Sequence, residues 1–234
     1  MSKAIVIDKT GTKMAVKETH YLLIVDGSSS MGHLSKSTIS GVNEQIDTVK
    51  QLEKEFPDQK YTMSFLHFNN SVTIEYNDRS ASLLEHITTS NYNCNGMTAL
   101  LDAIGVGVTR LNDTIKDKIA TGEASAVVVI ITDGEENASR EFDGGKVKSM
   151  IEELQKTERW TFTFVGANID SISTARNYGI NVSNVMQFSS DVESNAKVYK
   201  SMSKSFSMRA SSIANDTYAS MDFLSDEDKD ATSK

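Results

Sequence analysis

Five oxygen-bearing side chains stand at positions where they can hold a hard cation. Asp26, Ser28 and Ser30 alternate in the run Asp26-Gly27-Ser28-Ser29-Ser30, and an extended backbone turns alternate side chains to one side. Asp133, followed by Gly134, ends the apolar run AVVVIIT, and Thr98 lies in the intervening stretch NGMT. Two carboxylates in one crevice repel each other; such a pair raises a pKa or binds a cation. An all-oxygen set with few carboxylates suits Mg²⁺, with Mn²⁺ or Ca²⁺ as substitutes. Taken alone, the serine-rich turn has a plainer reading, the N-cap of the helix near Ser37. Only the full set of five makes metal binding the stronger one.

The elements that must position these residues follow from apolar patterning. Tyr21 to Val25, Tyr61 to Phe68, Ala126 to Thr132 and Thr161 to Val165 run almost unbroken in apolar residues, as parallel strands covered on both faces do. Between them Ile39, Val42, Ile46, Val49 and Leu52, then Leu100, Ile104, Val108 and Leu111, recur at helical spacing. Ser71 to Tyr76 alternates instead and follows Phe68 after Asn69 and Asn70, which predicts an antiparallel edge strand. A helix from about Lys146 to Thr157, a short one near Ser171 to Tyr178 and a strand near Asn184 to Phe188 continue the alternation. The fold class is a doubly wound α/β sheet, mostly parallel with one antiparallel edge. In such sheets ligands bind beyond the strands' carboxyl ends, where Asp26 and Asp133 stand.

The metal motif resembles the metal-ion-dependent adhesion site of von Willebrand factor A (integrin I-type) domains: Asp-x-Ser-x-Ser, a distant Thr, then a distant Asp. Asp26, Ser28 and Ser30 match the first part, Asn95 to Ile104 resembles the loop that carries the Thr into a helix, and Ile131-Thr132-Asp133-Gly134 resembles the strand-to-Asp-Gly junction. The resemblance covers residues 19 to 190. It implies a sheet order of 3-2-1-4-5-6, metal ligation by Asp26, Ser28, Ser30, Thr98 and Asp133, and a cation that accepts a Glu or Asp oxygen from a partner protein. Intracellular family members often work with AAA+ ATPases or other multi-protein assemblies, which makes such a machine the expected partner.

Outside that core, residues 1–18 form an extension that can be drawn as a hairpin. Residues 191–215 place Val192, Ala196, Tyr199, Met202, Phe206, Ala210 and Ile213 on one helical face, expected to pack on the domain, and the acidic residues 216–234 read as a disordered tail. The net charge of −8, with no dense Lys or Arg cluster, argues against nucleic-acid and anionic-membrane partners. No stretch has signal-peptide or membrane-spanning character, and Cys94 is the only cysteine, which excludes an internal disulfide and a thiolate zinc site. A cytoplasmic location is the expectation.

An enzyme is the first rival reading. The turn Gly27 to Gly32 lacks the Gly-x-Ser-x-Gly elbow, and all four histidines precede residue 90, so the hydrolase order Ser, Asp, His is not met. A phosphotransferase would want a carboxylate at position 28. The second rival is a self-assembling structural protein of a phage or bacterial gene cluster. His33 and His67 fall near strand ends and read as ordinary boundary residues; Glu135, Glu136 and Asn137 read equally as selectivity determinants or solvated surface. Asp102 complements a helix dipole, Asn168 and Asp170 end the fifth strand, and Gly105-Val106-Gly107 lies inside a helix rather than after a strand, so it is no dinucleotide fingerprint.

Overall fold

The computed structural model describes residues 17–167, 170–215 and 223–224. The chain runs β1 (Glu18–Asp26), α1 (Ser35–Glu55), β2 (Lys60–Phe68), β3 (Val72–Ser80), α2 (Leu100–Thr121), β4 (Ala124–Thr132), α3 (Gly144–Gln155), β5 (Trp160–Ala167), α4 (Ser171–Asn177), β6 (Val185–Phe188) and α5 (Val192–Ala214). The six strands lie in the order β3-β2-β1-β4-β5-β6; β3 is antiparallel to β2 and every other pairing is parallel. Order reverses between β1 and β4, so the crevice beyond their carboxyl ends is the topological switch point.

Period-two alternation within β1 divides the interior. Tyr21, Leu23 and Val25 join a core with Val42, Ile46 and Val49 of α1 and Tyr199, Met202 and Phe206 of α5. Leu22 and Ile24 join a second core with Leu100, Ile104, Val108 and Leu111 of α2 and Val147 and Ile151 of α3. Each fully buried large side chain contributes about 1.5–3 kcal/mol, and this two-sided burial fixes the register that aims Asp26 at the crevice. Close approaches require glycine in both α1 and α2. A Cβ on Gly41 would stand 2.1 Å from the Tyr199 ring, and one on Gly107 would stand 2.6 Å from Leu66. The Gly105–Gly107 pair is therefore a packing device, since Gly105 likewise admits the ring of Phe142.

The strands extend past their apolar runs, for physical reasons. β1 starts at Glu18 rather than Tyr21 because Glu18, Thr19 and His20 also pair with β2 and β4. β3 continues to Ser80 rather than Tyr76 because a bulge, with Asn77 and Asp78 opposite Ser64, interrupts the alternation without ending the pairing. Asp78 takes a left-handed conformation there (φ 47°), and its N–H donates to Ser64 Oγ at 2.8 Å.

The acidic tail needs a correction. Within 216–234, Phe223 and Leu224 are buried (5% and 3% exposed), the Phe223 ring lies 5.8 Å from that of Phe206, and its N–H donates to Asn184 Oδ1. Charge-rich composition masked two large apolar residues that close the core beside α5. The hairpin expected in residues 1–18 lies almost wholly outside the described residues. No helix among the described residues is long and apolar enough to cross a membrane.

Candidate metal centre

Because Val25 pairs with Ile131 across β1 and β4, Asp26 and Asp133 leave the sheet side by side. Asp26 is fully buried and Asp133 is 5% exposed. Asp26 Oδ1 accepts from Ser28 N at 2.7 Å, and its Oδ2 accepts from Thr132 Oγ1 at 2.6 Å. Ser30 Oγ donates to Asp133 Oδ1 at 2.6 Å and lies 2.9 Å from Ser28 Oγ. A Cβ on Gly134 would stand 3.4 Å from Thr98 Oγ1, 3.8 Å from Ser30 Oγ and 4.0 Å from Asp26 Oδ2. Oxygens from three separate loops thus converge on one small volume that a side chain at position 134 would fill. The structure brings together all five residues singled out by the motif.

Burial pushes the Asp26 carboxyl above the usual carboxylate range, and the charge of Asp133 adds to that, against the hydrogen bonds from Thr132 and Ser28. No ion pair to either aspartate occurs among the described residues. Nor do these residues contain a cluster of three or more His, Cys, Asp or Glu side chains able to hold a metal. The crevice offers a different donor set, two carboxylates with hydroxyls, all hard oxygens, and it leaves negative charge without a cationic side chain. That chemistry fits a hard divalent ion.

Backbone contacts lock the loops to one another. Gly27 N donates to Phe68 O, Asn95 N to Gly27 O and Ser29 N to Gly96 O, while Tyr92 OH donates to the Asp26 carbonyl at 2.5 Å. A second clasp joins the Thr98 loop to the loop after Asp133. Glu136 accepts from the backbone N–H groups of Leu101, Ala138 and Ser139 and from the Ser139 hydroxyl. Asp102 reciprocates, accepting from the N–H groups of Arg140, Glu141 and Phe142. Asn137 completes the clasp: its Oδ1 accepts from Thr98 N, and its N–H donates to Thr98 O. Glu136 and Asn137 are therefore more than plain solvated surface, and Asp102 does more than complement a dipole. Spacing did not reveal this, because the bonds that join the two loops run to main-chain donors more than thirty residues away.

His33 is exposed, and its two ring nitrogens face the carbonyls of Ser30 and Ser190, each at 2.9 Å, so it ties the serine loop to the turn before α5. His67 is buried, its Nε2 3.6 Å from Glu75 and its ring edge-on to Tyr92 at 5.7 Å. Burial pushes its pKa below the ordinary value, against the pull of Glu75. Asp170 caps α4 by accepting from Ser173 N; Asn168 lies outside the described residues.

The family model of the von Willebrand factor type A domain matches residues 22–177. No curated protein matches the sequence. Among solved structures, similarity extends to proximal thread matrix protein 1 from the mussel byssus with a zinc-occupied metal-ion-dependent adhesion site (16% identity, TM-score 0.50, covering 81% of this chain and 46% of that one). A von Willebrand factor type A protein from Catenulispora acidiphila is similar at 14% identity and TM-score 0.51, over 80% and 42% of the two chains. So is the D319A mutant of the PilB minor pilin from Streptococcus sanguinis, at 11% identity and TM-score 0.52, over 87% and 64%. This chain spans less than half the length of the first two. At such identities the likeness is one of fold.

Proposed function

The chain belongs to the von Willebrand factor type A domain family, and from that premise we propose that it is a non-catalytic, metal-dependent binding module of the cytoplasm. Asp26, Ser28, Ser30, Thr98 and Asp133 hold Mg²⁺, with Mn²⁺ or Ca²⁺ as substitutes, and the module captures an Asp or Glu side chain of a partner protein. The observation that carries this reading is the convergence of these oxygens around Gly134, beside two buried carboxylates that lack a cationic partner. Asp26 and Asp133 supply the charge that attracts the ion; Ser28, Ser30 and Thr98 add neutral donors that leave it Lewis acidic. Held there, the ion would accept a carboxylate oxygen from outside. Component proteins of AAA+ ATPase machines and other multi-protein assemblies are the candidate partners.

The non-catalytic part is supported by His33, whose ring nitrogens face backbone carbonyls rather than the Ser28 or Ser30 hydroxyls, so neither serine has a histidine base. The cytoplasmic part is supported by the single cysteine. Calorimetric titration with Mg²⁺ tests the assignment: wild type should bind, and Asp26→Ala and Thr98→Ala should not, with circular dichroism unchanged. Undiminished Mg²⁺ affinity in either variant overturns it.

A further inference from the structure

Asn95-Gly96 is the only Asn-Gly pair in the sequence, and it lies in the loop that leads to Thr98. We propose that Asn95 is a site of spontaneous deamidation, and that its isoaspartate product releases the serine loop from the Thr98 loop.

Three features of the loop favour the reaction. Gly96 carries no side chain to shield its main-chain nitrogen and holds a left-handed conformation (φ +72°) that glycine adopts freely. A Cβ at this position would collide with Asn70 Oδ1 at 1.9 Å, so the loop is built around a glycine. Second, the Gly96 N–H makes no hydrogen bond among the described residues, whereas the neighbouring Asn95 N–H donates to Gly27 O and Met97 N–H to Asn70 Oδ1. The one free main-chain nitrogen of this stretch is the one that must attack. Third, Asn95 Oδ1 accepts from Asn69 Nδ2 at 2.9 Å, which draws electron density from Cγ, and both Asn95 and Gly96 are exposed to water and base.

The deprotonated Gly96 nitrogen attacks Asn95 Cγ. A C–N bond forms, the Cγ–Nδ2 bond breaks, and ammonia leaves with the proton, closing a five-membered succinimide. Water then adds to either ring carbonyl and gives aspartate or isoaspartate at position 95; asparagine is among the thermolabile residues for this reason.

The structural consequence follows from two bonds on either side of the reacting unit. Asn95 N donates to Gly27 O at 2.9 Å, and Gly96 O accepts from Ser29 N at 3.1 Å. Isoaspartate routes the main chain through an additional methylene between those two anchors, so both cannot keep their partners. Either product also loses the amide that donates to Asn93 Oδ1.

The test incubates the full chain in mildly alkaline buffer and follows each asparagine by peptide mapping and mass spectrometry. Asn95 should convert before every other asparagine, and Asn95→Gln, which would have to close a larger ring, should stay unmodified there. Earlier conversion at another asparagine overturns the assignment. So does conversion of Asn95 in urea but not in the folded chain. Amide hydrogen exchange on the converted form, separated by its added negative charge and with its isoaspartate content quantified by an isoaspartate-specific methyltransferase, reads the loop itself, with the change at Ser29 expected to scale with that content. Faster exchange at Ser29 is expected; unchanged exchange overturns the release of the serine loop. Neither readout depends on whether the crevice binds metal.

Discussion

The two ends of β1 handle carboxylates in opposite ways. At its carboxyl end, Asp26 meets hydroxyls, a backbone N–H and a second carboxylate, and burial drives its pKa up. At its amino end, Asp78 of the β3 bulge meets His20 Nδ1 at 2.7 Å and Thr62 Oγ1 at 2.5 Å, and Glu18 meets Lys118 Nζ at 2.6 Å and Lys60 Nζ at 3.6 Å. Burial opposes ionisation of both, but the His20 contacts hold Asp78, and the Lys118 contacts hold Glu18, below the usual carboxylate range. One edge carries its own countercharge. The other has no cationic side chain beside its two carboxylates among the described residues, which is the difference between a structural ion-pair network and the proposed binding site in the same sheet.

The contrast is tested most strongly by adding the missing charge. At Mg²⁺ a hundredfold above its Kd, wild type should gain about 2.7 kcal/mol, and the gain should vanish in Asp26→Asn but persist in Asp78→Asn; denaturant titrations with Mg²⁺ and with chelator measure both. A gain retained by Asp26→Asn removes the asymmetry.

Second in size, Asp78→Asn should cost about 2 kcal/mol, because it leaves His20 and Thr62 without a charged acceptor while asparagine tolerates the left-handed backbone. The pH dependence has a definite sign. A carboxyl held low in the folded state stabilises the fold above the unfolded pKa of about 3.9, and this contribution is lost as pH falls through the folded value. Wild type and Asp78→Asn should therefore differ at neutral pH and converge in strong acid, and a difference that is constant with pH contradicts the ion-pair account.

Smaller still, Glu136→Gln should weaken Mg²⁺ binding while costing about 1 kcal/mol of stability, since the amide keeps one acceptor and loses the charge that strengthens the clasp. Equal Mg²⁺ affinity would mean that the Thr98 loop needs no help from Glu136. Metal-free Asp26→Asn should change least, within about 0.5 kcal/mol of wild type: it removes the repulsion with Asp133, and the Thr132 hydroxyl can turn to accept from the new amide.

The sequence made the crevice of the proposed metal site legible because its residues obey local rules. Asp26, Ser28 and Ser30 alternate at a strand end, Asp133 closes an apolar run, and both positions follow from period-two burial. The amino-terminal network did not show itself, since Glu18, His20 and Thr62 are polar residues inside strands and only cross-strand pairing brings Asp78 to them. The Glu136–Asp102 clasp was hidden for a related reason: its bonds end on main-chain donors, which leave no mark in residue identity. Phe223 and Leu224 were lost in an acidic stretch whose average composition conceals two core side chains.

That last pair sets where the molecule can be cut. The family match stops at residue 177, yet β6, α5 and the Phe223–Leu224 clip share one core with β1 and α1. A fragment trimmed to the matched span would lose Tyr21 itself, the Tyr199 ring that packs on Gly41 and the α5 side of the core that holds Val42, and would present an open apolar face to solvent. A fragment ending after Leu224 keeps that face closed.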